Sequence, residues 1–514
     1  MVSCECPGDA VGRRVAVGEH RGTVQYVGAV PPAPGVWLGV EWDDPSRGKH
    51  DGMYNGVRYF QTRLPTAGSF VRLEKADFGR SCVAAIQERY GNNDVTLTVE
   101  ELQDLQRAMN APNVEMVGFE KINQLQRCFS NLQVVCLSNQ QVWCAGEGLD
   151  SMCPNVQEID LSYNLFTSWD QVAEIVVNFP NLKFLRLNNN RLRVPENPEK
   201  FQLAFRSLSH LVLGNMDYTW EEICTCSKMW PQIESLQVPF NNITTICLPE
   251  NTLVNLTNLD LEGNPIMEWK EINQLGKLDR LGTLNLSSLG LTDISLPESQ
   301  SLFKTLHCLL ISDNKISKWE SISELHKLPK LHELRFSRNP LLENMKVESV
   351  HYKIIARIGP LQILNGSPVT KGDRRGAEME YLKEHGREWL ECTKNEELKA
   401  QFVAKHPRYP LLIKKHGVCE ESELEVKCRS LKSDLVHVKF VSNDGKTIKK
   451  TVPSTMLLSR LTGLVQRLFN TGNAEPTLCY HSCKNSEIEV KMDDPLKSLD
   501  YYSIEDGDEI QVQW

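Results

Sequence analysis

The stretch LTNLDLEGN (Leu256–Asn264) carries leucine at its first, fourth and sixth positions and asparagine at its ninth. The same template fits VQEIDLSYN (Val156–Asn164), LKFLRLNNN (Leu182–Asn190), IESLQVPFN (Ile233–Asn241), LHCLLISDN (Leu306–Asn314) and LHELRFSRN (Leu331–Asn339). Degenerate copies start at Leu132, Leu208 and Leu281. The nine starts, at 132, 156, 182, 208, 233, 256, 281, 306 and 331, are separated by 23 to 26 residues. One such unit cannot bury its own apolar side chains, whereas a stack of them builds a continuous core, so the period predicts a solenoid. The three apolar positions point into that core. The asparagine satisfies backbone groups at a turn that has no regular ladder of its own.

The repeat resembles the leucine-rich-repeat family, which implies an α/β solenoid with one strand per copy. Tryptophans stand five residues after three of the asparagines (Trp169, Trp269 and Trp319) and are expected to fill space between repeats. Residues flanking the inward leucines are expected on the concave side. They include Glu158, Asp160, Phe184, Arg186, Asn258, Asp260, Glu262, Glu333 and Arg335, and this face is the expected large partner surface. YKIIARIGPLQILNG (Tyr352–Gly366) breaks the period but stays apolar, as a terminal cap would. The solenoid with its cap is assigned to residues 126–370, and 371–434 reads as a charged helical linker.

Upstream, residues 9–80 are rich in glycine, valine and aromatics, which predicts a small β-barrel. Their loop Gly48-Lys49-His50-Asp51-Gly52 invites comparison with a phosphate cradle. A Walker loop needs glycine five residues before its Gly-Lys and a hydroxyl after it. Here those positions hold Asp43 and His50, so nucleotide chemistry fails. GKT at 445–447 fails too, with Phe440 in place of the first glycine. The wider stretch, with Trp37, Gly39 and Val40 before the loop and Tyr59, Phe60 and GSFVR (Gly68–Arg72) after it, resembles the CAP-Gly family. That resemblance implies capture of the extreme carboxy terminus of acidic partners ending in Glu-Glu-Tyr or Glu-Glu-Phe, above all α-tubulin.

The residue types suit that task. Glycines allow close backbone approach, and loop N–H groups can hold a terminal carboxylate. Lys49 and Arg72 are candidates for acidic side chains, and Trp37 and Phe70 for an aromatic platform. Gly48, His50, Asp51 and Gly52 complete the candidate tail site. His50 departs from the family's asparagine, and Pro32 stands where a groove aromatic often sits. Residues 81–125, with VEELQDLQRAMN, read as a helical connector.

Residues 435–514 form another expected unit. VHVKFVSNDGKTIKKTV alternates around an Asn-Asp-Gly turn, and STMLLSRLTGLVQRLF has helical spacing. With the short strands that follow, the pattern resembles the ubiquitin-like fold. No di-glycine follows the last strand, so recognition is expected and conjugation is not.

The net charge of −9 argues against nucleic acid as main partner, although residues 1–80 carry ten Lys and Arg against nine Asp and Glu. No apolar run approaches a membrane span and no secretory h-region is present. The 16 cysteines are scattered and lack zinc-knuckle spacing, which predicts reduced thiols in the cytoplasm. The Cys-x-Cys pairs and the Cys479–His481 neighbourhood offer no nucleophile with a base and an orienting group. The expectation is therefore a protein that is not an enzyme and holds no cofactor or metal.

The order CAP-Gly, leucine-rich repeats, ubiquitin-like domain resembles the tubulin-folding cofactors. That implies a cytoplasmic, cytoskeleton-associated chaperone that binds the tail and body of α-tubulin, acts with other folding cofactors and can separate the α/β dimer. The ubiquitin-like end would meet another cofactor, the proteasome or ubiquitin receptors. The alternative is a microtubule-associated adaptor that binds tails and leaves dimers intact.

Overall fold

The computed structural model describes residues 7 to 513 except 92–128, 250, 298–301, 344, 346, 419–434, 471–475, 483–484, 493, 495–496, 500, 503 and 505–506. The chain divides into two compact units, Met1–Cys419 and Glu420–Trp514.

The repeats of the first unit build one eleven-stranded sheet whose order follows the sequence. Each of the nine copies contributes a three-residue strand, such as Glu158–Asp160, Phe184–Arg186, Asn258–Asp260 and Glu333–Arg335. Neighbouring copies pair in parallel, and equivalent residues meet: Leu236 faces Leu259, and Leu259 faces Leu284. The middle residue of each strand is buried, so Ile159, Leu185, Leu211, Leu236, Leu259, Leu284, Leu309 and Leu334 form one apolar column. Burying each contributes about 1.5–3 kcal/mol, which no single copy could gather alone.

The asparagines are buried and link adjacent copies. Asn164 Oδ1 accepts from the Val142 N–H at 2.9 Å, and its Nδ2 donates to the Leu137 carbonyl at 2.8 Å. Asn264 and Asn314 repeat this arrangement. The tryptophans open short helices: Trp169–Val176, Trp220–Ser227, Trp269–Ile272 and Trp319–Glu324. Trp169 packs 5.3 Å from Trp230 and 5.8 Å from Phe205, the expected filling between repeats. Trp319 is only partly buried and lies under the Arg357 guanidinium.

After the last copy, the helix Val347–Arg357 and the short antiparallel pair Ile363–Leu364 and Ser367–Pro368 close the sheet. The stretch read as a charged helical linker is helical through residue 416, but as three packed helices: Lys371–Cys392, Glu396–Lys405 and Tyr409–His416. They bury Ala377, Tyr381, Leu382, Phe402, Tyr409 and Leu412. Some of their charge is also internal. Glu378 is fully buried and accepts from Arg408 and Lys415 at 2.6 Å and from His416 at 2.7 Å. A charge-rich sequence hides this packing, because buried partners read as solvated ones.

At the other end, Arg14–Val17, His20–Val30, Ala33–Trp42 and Gly68–Arg72 form a four-stranded antiparallel sheet over Val15, Val24, Leu38, Val40, Trp42 and Val71. It is joined to the repeats by the parallel pairing of Arg80–Ser81 with Val142–Cys144. A chain of charges spans the same junction. Arg14 pairs with Asp43, Arg191 lies 3.9 Å from Asp43 and 3.3 Å from Asp217, and Arg63 bridges Asp217 and Glu41. Residues 82–91 are helical, and most of the expected connector, VEELQDLQRAMN included, lies outside the described residues.

The second unit is a five-stranded mixed sheet in the order Thr447–Pro453, Leu435–Ser442, Glu509–Gln513, Thr477–Ser482, Asn485–Met492. First and last strands pair in parallel, and the helix Leu458–Phe469 packs its Leu458, Leu461 and Val465 against Phe440, Ile510 and Val512. This hairpin, helix and central parallel pair is the ubiquitin-like topology the sequence predicts. No described helix is long and apolar enough to cross a membrane.

Candidate functional site: an aromatic groove beside the glycine loop

Strand alternation sets the site. Leu38, Val40 and Trp42 point into the core of the small sheet, so Trp37, Gly39 and Glu41 lie on its other face. The neighbouring strand pairs Arg72 with Trp37, Phe70 with Gly39 and Gly68 with Glu41. Gly39 is the floor. A Cβ there would overlap the ring of Phe60, so only glycine leaves Phe60 its place beneath Phe70.

Phe70 is the hub of the groove. Its ring lies 5.0 Å from His50, 5.4 Å from Tyr59, 5.5 Å from Phe60, 6.1 Å from Tyr54 and 6.4 Å from Tyr26. Most of these are edge-to-face pairs, which hold aromatic walls in fixed orientation. Phe70 stays half-buried, and Tyr54, Met53 and Val57 remain exposed at the rim.

The loop is pinned to this groove by backbone. His50 bridges Gly68 in both directions, its carbonyl accepting at 2.7 Å and its N–H donating at 3.1 Å. The Lys49 N–H donates to the same Gly68 carbonyl at 2.7 Å. A Cβ on Gly48 would overlap the Thr66 carbonyl, and one on Gly52, whose φ is +95°, would overlap that of Phe60. His50 Nδ1 accepts from the Gly52 N–H at 3.0 Å. Burial lowers the His50 pKa, and the nearby Lys49 adds to this while Asp51 opposes it, so the ring is neutral near pH 7 and keeps that lone pair.

The candidate residues separate into roles. Lys49 is exposed and makes no ion pair among the described residues, leaving its ammonium available. Asp51 is committed locally, pairing with Arg58 at 2.8 Å and accepting from the Met53 N–H at 3.2 Å. Arg72 stacks 3.8 Å over Trp37 and donates to the Pro34 carbonyl at 2.6 Å. Trp37 is therefore roofed by Arg72, two residues along the face from the Phe70 cluster. Such a surface can clamp an extended acidic segment, with an aromatic side chain against Phe70 and a carboxylate near the loop.

The CAP-Gly domain model matches residues 11–76. The tubulin-specific chaperone E of Danio rerio is 40% identical over 523 residues, covering 98% of this chain and 99% of its own. That of Xenopus laevis is 38% identical over the whole of both chains, and that of Homo sapiens 36% identical over 98% and 99%. The chain belongs to the tubulin-specific chaperone E family. Among solved structures it is similar to the C-terminal ubiquitin-like domain of mouse tubulin-specific chaperone e, 28% identical, covering 16% of this chain and 87% of that one with a TM-score of 0.15. It is also similar to a Bik1 CAP-Gly domain solved with an ETF peptide from Bim1, 33% identical, covering 13% and 90% with a TM-score of 0.12.

In this member of the tubulin-specific chaperone E family, the residues expected on the concave side share one face of the repeat sheet. Glu158, Asp160, Phe184, Arg186, Asn258, Asp260, Glu333 and Arg335 flank the buried column, and Glu262 sits in the turn after its strand. Many are tied to one another. Arg186 pairs with Glu158, Arg335 lies 3.4 Å from Glu333, and Glu262 accepts from Asn285 at 3.2 Å. Burial raises the Asp260 pKa, against the pull of hydrogen bonds from the Glu262 N–H and Asn285.

Sequence reading missed several residues of this chaperone-family chain. Tyr26 and Tyr54 join the groove from separate strands with no motif around them. His210 stacks on Phe184 at 4.0 Å from a degenerate copy. His385, Glu388 and His406 converge in the helical region after the repeats.

Proposed function

We propose that this chain is a chaperone of α-tubulin that works by binding and not by catalysis. The Phe70 groove, with Lys49 exposed beside a loop of inward-aimed glycines, is the observation that carries the reading. It grips the acidic carboxy-terminal tail, and the tether raises the effective concentration of the repeat sheet at the tubulin body. The parallel ladder of three-residue strands, cross-linked by buried asparagines, supports a leucine-rich-repeat solenoid whose Glu158–Arg335 face meets that body. Together the two contacts hold α-tubulin apart from its partner in the cytoplasm. The ubiquitin-like unit recruits other folding cofactors, or the proteasome and ubiquitin receptors.

The test is size-exclusion chromatography of the full chain mixed with α/β-tubulin. A complex of this chain with α-tubulin alone is expected. Co-sedimentation with microtubules without release of α-tubulin would instead assign an adaptor that leaves dimers intact.

A further inference from the structure

A cavity of about 200 Å³ lies among the helices that follow the repeats, walled by Trp319, Lys353, Arg357, His385, Lys405 and His406, with Glu320 and Glu384 at its edge. It takes no part in the groove or the concave face. Its walls hold more cationic and imidazole groups than carboxylates. Arg357 is 4% exposed, yet it makes no ion pair among the described residues. Its guanidinium is sandwiched 4.5 Å from the Trp319 ring and 4.8 Å from the Tyr381 ring, its Nη1 donates to the Lys353 carbonyl at 3.0 Å, and its Nε has no partner. Glu384 and Glu320 attract it without forming an ion pair, and a buried cation without a direct partner is costly.

Two imidazoles share the cavity. His406 is 3% exposed and its ring lies 4.1 Å from that of His385, and the Nε2 of each is buried without a hydrogen-bond partner. Tyr381 Oη lies 2.7 Å from His406 Nδ1. Burial raises the Tyr381 pKa to about 12, so the phenol keeps its proton and is able to donate it to Nδ1. Burial likewise lowers His406 to about 3 and His385 to about 4, keeping both rings neutral. A neutral ring that accepts at Nδ1 carries its hydrogen on Nε2. In that tautomer His406 presents at Nε2 a buried N–H without a hydrogen-bond partner.

The carboxylates at the cavity, Glu320 and Glu384, attract Arg357 but make no ion pair with it. Glu384 pairs with Lys353, Glu388 lies 3.9 Å from Lys405, and Glu320 is exposed. We propose that this cavity binds one small inorganic oxyanion of phosphate size, held by the Arg357 guanidinium and the His406 Nε2–H, with His385 beside them. Its volume is below the roughly 300 Å³ at which pockets for drug-sized ligands begin, so a nucleotide is too large. His385, Glu388 and His406 also resemble a metal set, since their ligand atoms lie within 4.8 Å of one another. A metal there would need the Nε2 lone pair that this tautomer lacks, and it would add positive charge beside the buried Arg357.

The experiment is calorimetric titration of the full chain with sodium phosphate at constant ionic strength, with sodium chloride as reference. One saturable site is expected, and Arg357→Met should weaken it at least tenfold. Independently of any variant, phosphate should shift the His406 Nε2–H proton resonance of the native chain. Absence of saturable phosphate binding, a resonance that phosphate leaves unmoved, or a folded Arg357→Met with unchanged affinity would overturn the proposal. So would zinc chloride filling one site at these histidines while phosphate fills none.

Discussion

His50 Nδ1 accepts a hydrogen bond from the N–H of Gly52 at 3.0 Å, closing the turn of the glycine loop. An asparagine makes the same link with its side-chain oxygen two residues back. The histidine that stands in place of the expected asparagine therefore closes a turn of the kind an asparagine would close. It also adds a titration. The folded pKa lies below the ordinary 6.5, so the loop's stabilisation is present above about 6.5 and is lost as pH falls through the depressed value.

Hydrogen exchange at the Gly52 amide reads this directly. In the native chain, protection should drop between pH 7 and pH 5. In His50→Asn, protection should survive at both. Equal loss in the two proteins would separate the ring from the turn.

Lys49 and Arg72 should respond differently to alanine. Lys49 touches nothing it must hold, so Lys49→Ala should leave stability within about 0.5 kcal/mol while weakening an acidic tail peptide several-fold at low salt. The loss should shrink as salt screens the charge. Arg72→Ala uncovers Trp37 and frees the Pro34 carbonyl, so it should lower both stability and affinity. Fluorescence anisotropy beside thermal melts checks both variants.

Asp43 anchors the charge chain between the small sheet and the repeats. Burial would raise its pKa, but hydrogen bonds and charge from Arg14, with Arg191 and Arg63 behind it, pull it below the ordinary value. Asp43→Ala strands the fully buried Arg14 side chain and should cost about 3–5 kcal/mol in urea unfolding. The native contribution should fade as pH drops below about 4.

Glu378 makes the same argument among the terminal helices. Burial pushes its pKa up, yet the bonds from Lys415, His416 and Arg408 overcome that and bring it to about 2. Stability from this carboxylate is complete above about 4.5 and is lost as pH falls toward 2. Glu378→Leu should destabilise by about 3–5 kcal/mol, read as a lower denaturant midpoint, because Arg408 stays buried without its partner.

The repeat sheet was legible because its period places Leu259 on Leu284 and Asn264 under Asn241, and a periodic core writes itself into the sequence. The glycine loop was legible because close packing against Phe60 and Thr66 tolerates no side chain. The groove's full wall was not, since Tyr26 and Tyr54 reach Phe70 only through strand pairing. The segment 371–416 was legible as helical, but its packing was not, because Glu378 and Arg408 are polar in sequence and internal in space. His385 and His406 carry no spacing signal, as they meet across two helices.

The most direct measurement compares the full chain's affinity for a peptide ending Glu-Glu-Tyr with a free carboxylate and for the same peptide amidated at its terminus. A grip on the terminal carboxylate beside Lys49 and the Phe70 groove predicts at least tenfold weaker binding of the amide. Equal affinity for the two would contradict it.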